Sequence, residues 1–225
     1  MEVMTGKEDA GVLNYLLKRR SAKIDHLVEP APSAEQVEQI LTAALRVPDH
    51  GKMCPWYCLV FEGEARSQIG DVLADVYERE HPDAREDKIE AERARFLRAP
   101  LVIALVSRVR KGKKPVWEQI LSAGAAAQNL SLAVHALGFG VNWVTEWYAF
   151  NENVKAAMGL DRRDHIAGFF YIGTCSEVQA DRDRPDLDKV VTRWSPDATL
   201  NKGDCYDVEK LGFPDVGFNF GKLIR

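Results

Sequence analysis

Six consecutive apolar residues, Leu101-Val102-Ile103-Ala104-Leu105-Val106, stand behind Ala99-Pro100 near the middle of the chain. A run of this kind has none of the alternation of a half-exposed strand and reads as a strand buried on both faces. Helical and extended patterns alternate around it. That alternation predicts an α+β or α/β fold with one central mixed β-sheet flanked by helices. The length of 225 residues is most simply one domain, 1–225, with room for a real core.

The first helix is predicted from about Ala10 to Arg20, with Leu13, Leu16 and Leu17 as its apolar stripe. Arg20 lies seven residues after Leu13 and so continues the buried face. Ser33 followed by Gln36 is a capping box. It opens a helix whose core stripe is Val37, Ile40, Leu41, Ala44 and Leu45. A strand follows over 56–61, then a helix from about Glu64 to Arg79. Residues 78–98 carry charges of alternating sign, which predicts a solvated helix laced with weak ion pairs. The long helix from about Trp117 to Leu137 is small in its middle, Ser122 to Ala127. It should therefore sit close to another backbone, at the centre of the fold or at a subunit contact. Gly138-Phe139-Gly140 ends it. A short strand Val141–Val144, a helix capped by Asn151 and a last core strand, Ile166–Gly173, complete the ordered pattern.

Composition removes several classes of function. The net charge of −4 argues against a nucleic-acid surface. No apolar run is long enough to cross a bilayer, and Met1 to Ala10 lacks the apolar core of a signal peptide, so a cytoplasmic protein is expected. Cys54, Cys58, Cys175 and Cys205 have no paired metal-ligand spacing, and reduced thiols are expected. There is no glycine-rich dinucleotide fingerprint after a strand, no Walker loop and no serine-hydrolase elbow.

Three stretches carry candidate chemistry. Arg19-Arg20-Ser21 offers two guanidinium forks and a hydroxyl, a natural phosphate grip, although cations at a helix end also complement its dipole. Arg46-Val47-Pro48-Asp49-His50-Gly51-Lys52-Met53-Cys54-Pro55-Trp56 is a loop stiffened by two prolines between a helix and a strand. Trp143-Val144-Thr145 leads out of a strand into the aromatic cluster Trp147, Tyr148 and Phe150. Glu118, in the first turn of the long helix, is either a general base or a dipole partner.

These stretches occur in the order and spacing of the FMN-dependent nitroreductase family, and the chain resembles its compact YdjA-like branch over roughly residues 11–194. The motifs are Arg19-Arg20-Ser21, Pro48-Asp49-His50 before Pro55-Trp56, Trp117-Glu118-Gln119, and Phe170-Tyr171-Ile172-Gly173-Thr174. The resemblance implies a nitroreductase-like fold and an interlocked homodimer with FMN at the subunit interface. NADH or NADPH would be co-substrate, and a nitroaromatic, quinone or similar small molecule the acceptor. It implies that Arg19, Arg20 and Ser21 hold the FMN phosphate and ribityl chain. Arg46 and His50 would reach the cofactor from the other subunit, and Trp143, Val144 and Thr145 would line the flavin. A late basic residue at the phosphate would be Arg182 or Arg184. Flavin N5 would carry the chemistry, with no catalytic side chain and no metal.

The chain departs from the family pattern at several points. His50, Lys52 and Cys54 stand where many members carry Ser, Asn and Gln. Val144-Thr145 replaces the Arg-Ser of the branch, which removes one cation near the flavin. The stretch 195–225 is an extension predicted to embrace the partner subunit. Trp147, Tyr148 and Phe150 either wall an acceptor pocket or pack the core. Two other readings remain open: a non-catalytic FMN-binding or flavin-storage protein of the same fold, and a metal-dependent hydrolase using Asp49, His50 and His135.

Overall fold

The structure, a computed structural model, describes residues 6–200. Residues through Gln179 form one compact unit, and residues from Ala180 belong to a second. In the first unit the chain runs through α1 (Ala10–Lys18), β1 (Leu27–Val28), α2 (Ala34–Ala44), β2 (Trp56–Phe61), α3 (Ala65–Glu80) and α4 (Glu86–Arg93). It continues through β3 (Leu101–Arg108), α5 (Val116–Ala136), β4 (Gly140–Val144), α6 (Glu152–Ala157) and β5 (Asp164–Cys175). The second unit is described to Leu200 and holds α7 (Leu187–Val190). The extension expected to embrace a partner falls largely on 201–225, outside the described residues.

The fold is α+β, as the alternation predicts. The sheet was expected to be mixed, yet every strand pairing among the described residues is antiparallel. The reason is the position of the last strand. β3 and β4 run the same way, and α5 crosses between them as in a parallel unit. β5 then enters between the two: Phe170 pairs with Ile103 of β3 on one edge and with Trp143 of β4 on the other. The parallel strands are thereby kept from being neighbours.

The apolar run is a strand buried on both faces, and Leu101 to Val106 are almost wholly inaccessible. Successive side chains alternate across the sheet. Leu101, Ile103 and Leu105 join Phe170 and Ile172 under α2 and α5, where Ile40, Ala126, Leu130 and Val134 cover them. Val102, Ala104 and Val106 join Phe169 and Tyr171 on the other face, beneath Leu73, Val76, Phe96 and Tyr148. The capping box is present at both ends, with Gln36 N–H donating to Ser33 Oγ at 3.3 Å and Ser33 N–H to Gln36 Oε1 at 2.9 Å.

Two local expectations are corrected. The apolar stripe of α1 is not buried: Leu13 is 60% and Leu17 73% exposed, and the helix ends at Lys18. Arg19 leaves the helix with ψ of 143°, so Arg20 does not prolong a buried face. The charged stretch 78–98 is also not one solvated helix. It breaks after α3, reforms as α4 and tightens into a 3₁₀ turn, Arg95–Arg98, burying Ile89 and Phe96. Charge alternation cannot reveal this, because two apolar residues suffice to turn a segment inward.

Candidate functional site

The site is built on the chain that leaves α1. Ala22 N–H donates to Val141 O at 3.0 Å, and Asn142 Nδ2 donates to Ala22 O. These bonds tie Arg19-Arg20-Ser21 to the start of β4, two residues before Trp143. Two groups of expected site residues, more than a hundred residues apart in the sequence, are thus brought to one corner. Arg19 is partly buried there, and its Nε has no partner among the described residues. A buried guanidinium N–H without an acceptor is costly and calls for an anion. His135 lies at the same corner, its ring edge-on to Tyr15 at 6.3 Å between centroids. Burial, and after it the charge of Arg19, depress the His135 pKa, against a hydrogen bond with Phe139 O. Burial and the neighbouring Arg19 charge thus both disfavour a charged imidazole at this corner.

Trp143 is held from below. Its indole Nε1 donates to Ala167 O at 3.0 Å, and its ring lies against Phe170, 5.3 Å between centroids. Ala167 is the residue skipped where the β3–β5 register shifts between Leu105 and Val106. Such a bulge turns a backbone group away from the ladder, and here the freed carbonyl serves the indole. Trp143 remains 40% exposed, Val144 is half-buried and Thr145 is exposed. An aromatic face fixed in this way and left open can take a flat ligand.

The segment after Thr145 is fixed by a charge network absent from the sequence-based expectations. Glu146 receives both arms of Arg98, at 3.1 and 2.9 Å, and Arg98 also donates to Tyr171 Oη at 3.1 Å. Tyr148 and Tyr171 share a hydrogen bond of 2.8 Å. Glu92 accepts from Trp147 Nε1 at 2.8 Å and pairs with Arg95. Tyr148 is wholly buried and belongs to the core, whereas Phe150 is exposed. Arginine at a 3₁₀ turn between charged neighbours gave no sequence signal of this role.

The loop Arg46–Trp56 docks along α5. Arg46 O and Pro48 O accept from Asn129 Nδ2 at 3.1 Å and Ser122 Oγ at 2.7 Å. Asp49 accepts the N–H groups of Met53 and Cys54, both at 2.9 Å. His50 Nδ1 lies 2.5 Å from Glu118 Oε2, at the first turn of α5. Glu118 and His135 are separated by about 25 Å of helix at 1.5 Å per residue. His50 and Arg19 thus stand near opposite ends of α5, and within one chain they do not meet. The same separation dissolves the proposed metal set of Asp49, His50 and His135. Among the described residues no group of three or more His, Cys, Asp or Glu gathers to hold a metal ion. Arg182 and Arg184 lie in the second unit, where the Arg182 backbone N–H and the Arg184 guanidinium donate to Asp181 Oδ1. No helix of the described residues is long and apolar enough to cross a membrane.

The fold and site define an α+β sandwich in which the buried, unpartnered Nε of Arg19 stands near the strand that carries an exposed, seated indole. Residues 16–174 match the nitroreductase family, and the chain belongs to it. It is 40% identical over 165 residues to the "Putative NAD(P)H nitroreductase YdjA" of Escherichia coli (strain K12), an alignment covering 72% of this chain and 87% of that one. A nitroreductase-like family protein from Bacillus cereus superposes with a TM-score of 0.70 at 23% identity, covering 84% of this chain and 98% of the other. A nitroreductase-like structure from Desulfovibrio desulfuricans, solved in complex with FMN, gives 0.63 at 24% identity, covering 84% and 100%.

Proposed function

We propose that this protein is an FMN-dependent NAD(P)H oxidoreductase acting on a small acceptor such as a nitroaromatic or a quinone. The observation that carries the reading is the corner where Arg19, with its buried unpartnered Nε, stands beside the strand bearing Trp143. That donor set fits a phosphate, since charge-assisted hydrogen bonds to guanidinium and hydroxyl are the strong ones. Arg19, Arg20 and Ser21 would hold the FMN phosphate and ribityl chain, while Trp143, Val144 and Thr145 would line the ring. Bound FMN would supply two-electron hydride transfer through N5, from NADH or NADPH in one half-reaction and to the acceptor in the next. The chain's own part is to bind, orient and exclude water. The Arg98–Glu146 pair keeps the backbone after Thr145 in place for a flat ring.

The reading includes a homodimer. Arg46 and His50 were expected to serve the cofactor, and His50 stands far along α5 from Arg19 of its own chain. A second copy laid against α5 brings the two ends together. The exposed apolar residues Leu13, Leu16 and Leu17 of α1, and Val116, Trp117 and Leu121 of α5, are the surface such a contact would cover. Arg182 or Arg184 would add a late cation at the phosphate. The enzyme would work in the cytoplasm, where nicotinamide nucleotides are available.

An anaerobic visible spectrum of purified protein tests this directly. A flavin band that bleaches with NADH or NADPH and returns with a quinone supports the oxidoreductase. Flavin that binds but resists both nicotinamides favours the non-catalytic FMN-binding alternative. Failure to take up FMN removes the residue assignments and leaves the fold.

A further inference from the structure

Trp147 is bonded differently from Trp143. Its Nε1 donates at 2.8 Å to Glu92 Oε2, and Glu92 is buried. Burial alone would raise the Glu92 pKa, but hydrogen bonds from Arg95 and Trp147 outweigh it and hold the carboxyl below its ordinary range. An ionised carboxylate is therefore aimed at the indole proton. Toward a neutral indole it only accepts a hydrogen bond. Toward an indole that has lost one electron it is a base, because the radical cation is a far stronger acid than the parent ring. Oxidation of Trp147 can thus pass its proton to Glu92, and no positive charge has to persist on a half-buried ring.

Rings in contact continue outward from it. Trp147 lies 5.7 Å from Tyr77 of α3 between centroids, and Tyr77 stacks on the exposed His81 ring at 4.2 Å. The inward neighbour is held in another way. Tyr148 is 5.8 Å from Trp147, but Arg98 donates to its hydroxyl at 3.3 Å and to that of Tyr171 at 3.1 Å. The guanidinium carbon also stands 4.8 Å over the Tyr171 ring. Although Glu146 pairs with Arg98, the guanidinium is the charge bonded to both phenol oxygens. A fixed positive charge there opposes removal of an electron from either core tyrosine. Tyr77 has no such cation in hydrogen-bond contact among the described residues, so an electron hole on Trp147 is drawn to Tyr77 and held off the core pair.

We propose that Trp147 and Tyr77 form a one-electron redox relay, with Glu92 as its proton acceptor, that carries oxidising equivalents from the segment after Thr145 to the surface at His81. The oxidant is an oxygen-centred radical. It takes one electron from the Trp147 ring and leaves as its anion, while the indole N–H bond breaks and an O–H bond forms on Glu92. Tyr77 then returns an electron to Trp147, Glu92 returns the proton, and the Tyr77 phenol proton passes to water. The net change is one radical reduced to its anion, one phenol oxidised to its phenoxyl radical and one proton released. An enediol reductant in solution restores the phenol by giving up a hydrogen atom. The relay needs no bound flavin and stands apart from the reading above.

Pulse radiolysis of the full-length protein tests the relay, with azidyl radicals as the oxidant. An indolyl absorption band should decay into a tyrosyl band in a first-order phase whose rate does not change with protein concentration. Other indoles add phases of their own, and the relay is the phase that two substitutions both remove. Tyr77→Phe keeps the ring and its packing but deletes the phenol, and the phase should be lost. Trp147→Phe should lose the same phase, with circular dichroism checking the fold. In Glu92→Gln the amide still accepts from the indole but is no base. The indole should then persist as its protonated radical cation, which absorbs to the red of the neutral radical. An unchanged phase in Tyr77→Phe overturns the relay whatever the other variants do, and so does a rate that rises with protein concentration. An indolyl radical that loses its proton equally fast in Glu92→Gln overturns the part given to Glu92.

Discussion

Gly168 and Trp143 compete for one volume: a Cβ at position 168 would fall 1.9 Å from Trp143 Nε1 and 2.2 Å from Cδ1. The indole reaches Ala167 O only because its neighbour has no side chain. Gly168→Ala should expel the ring from this seat and cost about 1–3 kcal/mol, as overpacking does. Urea denaturation gives the loss, and tryptophan fluorescence should shift to the red. Combining Gly168→Ala with Trp143→Ala should recover much of the stability, since the clash then has no partner.

Arg98 joins Glu146 to the tyrosine pair beneath it. Arg98→Met leaves a half-buried carboxylate without its fork and should cost on the order of 3 kcal/mol, the lower part of the range for breaking a buried pair. Equilibrium unfolding in urea measures it. Glu146→Gln keeps an acceptor for the guanidinium and should cost less.

His135 should make the protein less stable in mild acid. Burial first, and the Arg19 charge second, place its folded-state pKa below that of a free imidazole, and the Phe139 carbonyl only partly opposes them. The unfolded chain, with histidine near 6.5, therefore takes up the proton first as pH falls. The stabilisation is complete above roughly pH 6.5 and declines below it, toward the depressed folded value. Urea midpoints measured from pH 8 to pH 5.5 should fall less steeply in His135→Gln than in the wild type.

The exposed leucines of α1 should matter to assembly more than to the fold of one chain. Leu13→Glu with Leu17→Glu should leave the circular dichroism spectrum intact. Burying a leucine is worth about 1.5–3 kcal/mol, so the pair should weaken self-association by at least about a hundredfold. Sedimentation velocity reads the change, and flavin uptake should fall with it.

Much of the scaffold was legible because its signals are local. The Ser33–Gln36 box, the apolar run of β3 and the small-residue helix each announce themselves within a few turns of chain, and α5 begins and ends within one residue of its predicted limits. What escaped depends on partners distant in sequence. Nothing in Asp164–Cys175 shows that it will divide β3 from β4, and Arg98 looks like any other cation in a charged stretch. The leucines of α1 have helical spacing but no cover within the described chain. Periodicity shows which side of a helix is apolar without showing what buries it. Among the site residues, Arg19 and Trp143 were recognisable by type and order. Their stretches are joined through Ala22, bonded to Val141 O and to the Asn142 side chain, and no sequence pattern marks those bonds.

The place of β5 also bears on how the protein is made. Among the described residues it is the last strand to be synthesised, and it pairs with β1, β3 and β4. A nascent chain that has emerged only through β4 can join β2 to β3, but β4 has no edge to attach to. The corner carrying Arg19 leans on β4 and must wait as well. Completion of the sheet, and of the binding corner with it, is therefore deferred until residue 175 has cleared the ribosome, and the growing chain until then exposes apolar strand edges that chaperones recognise.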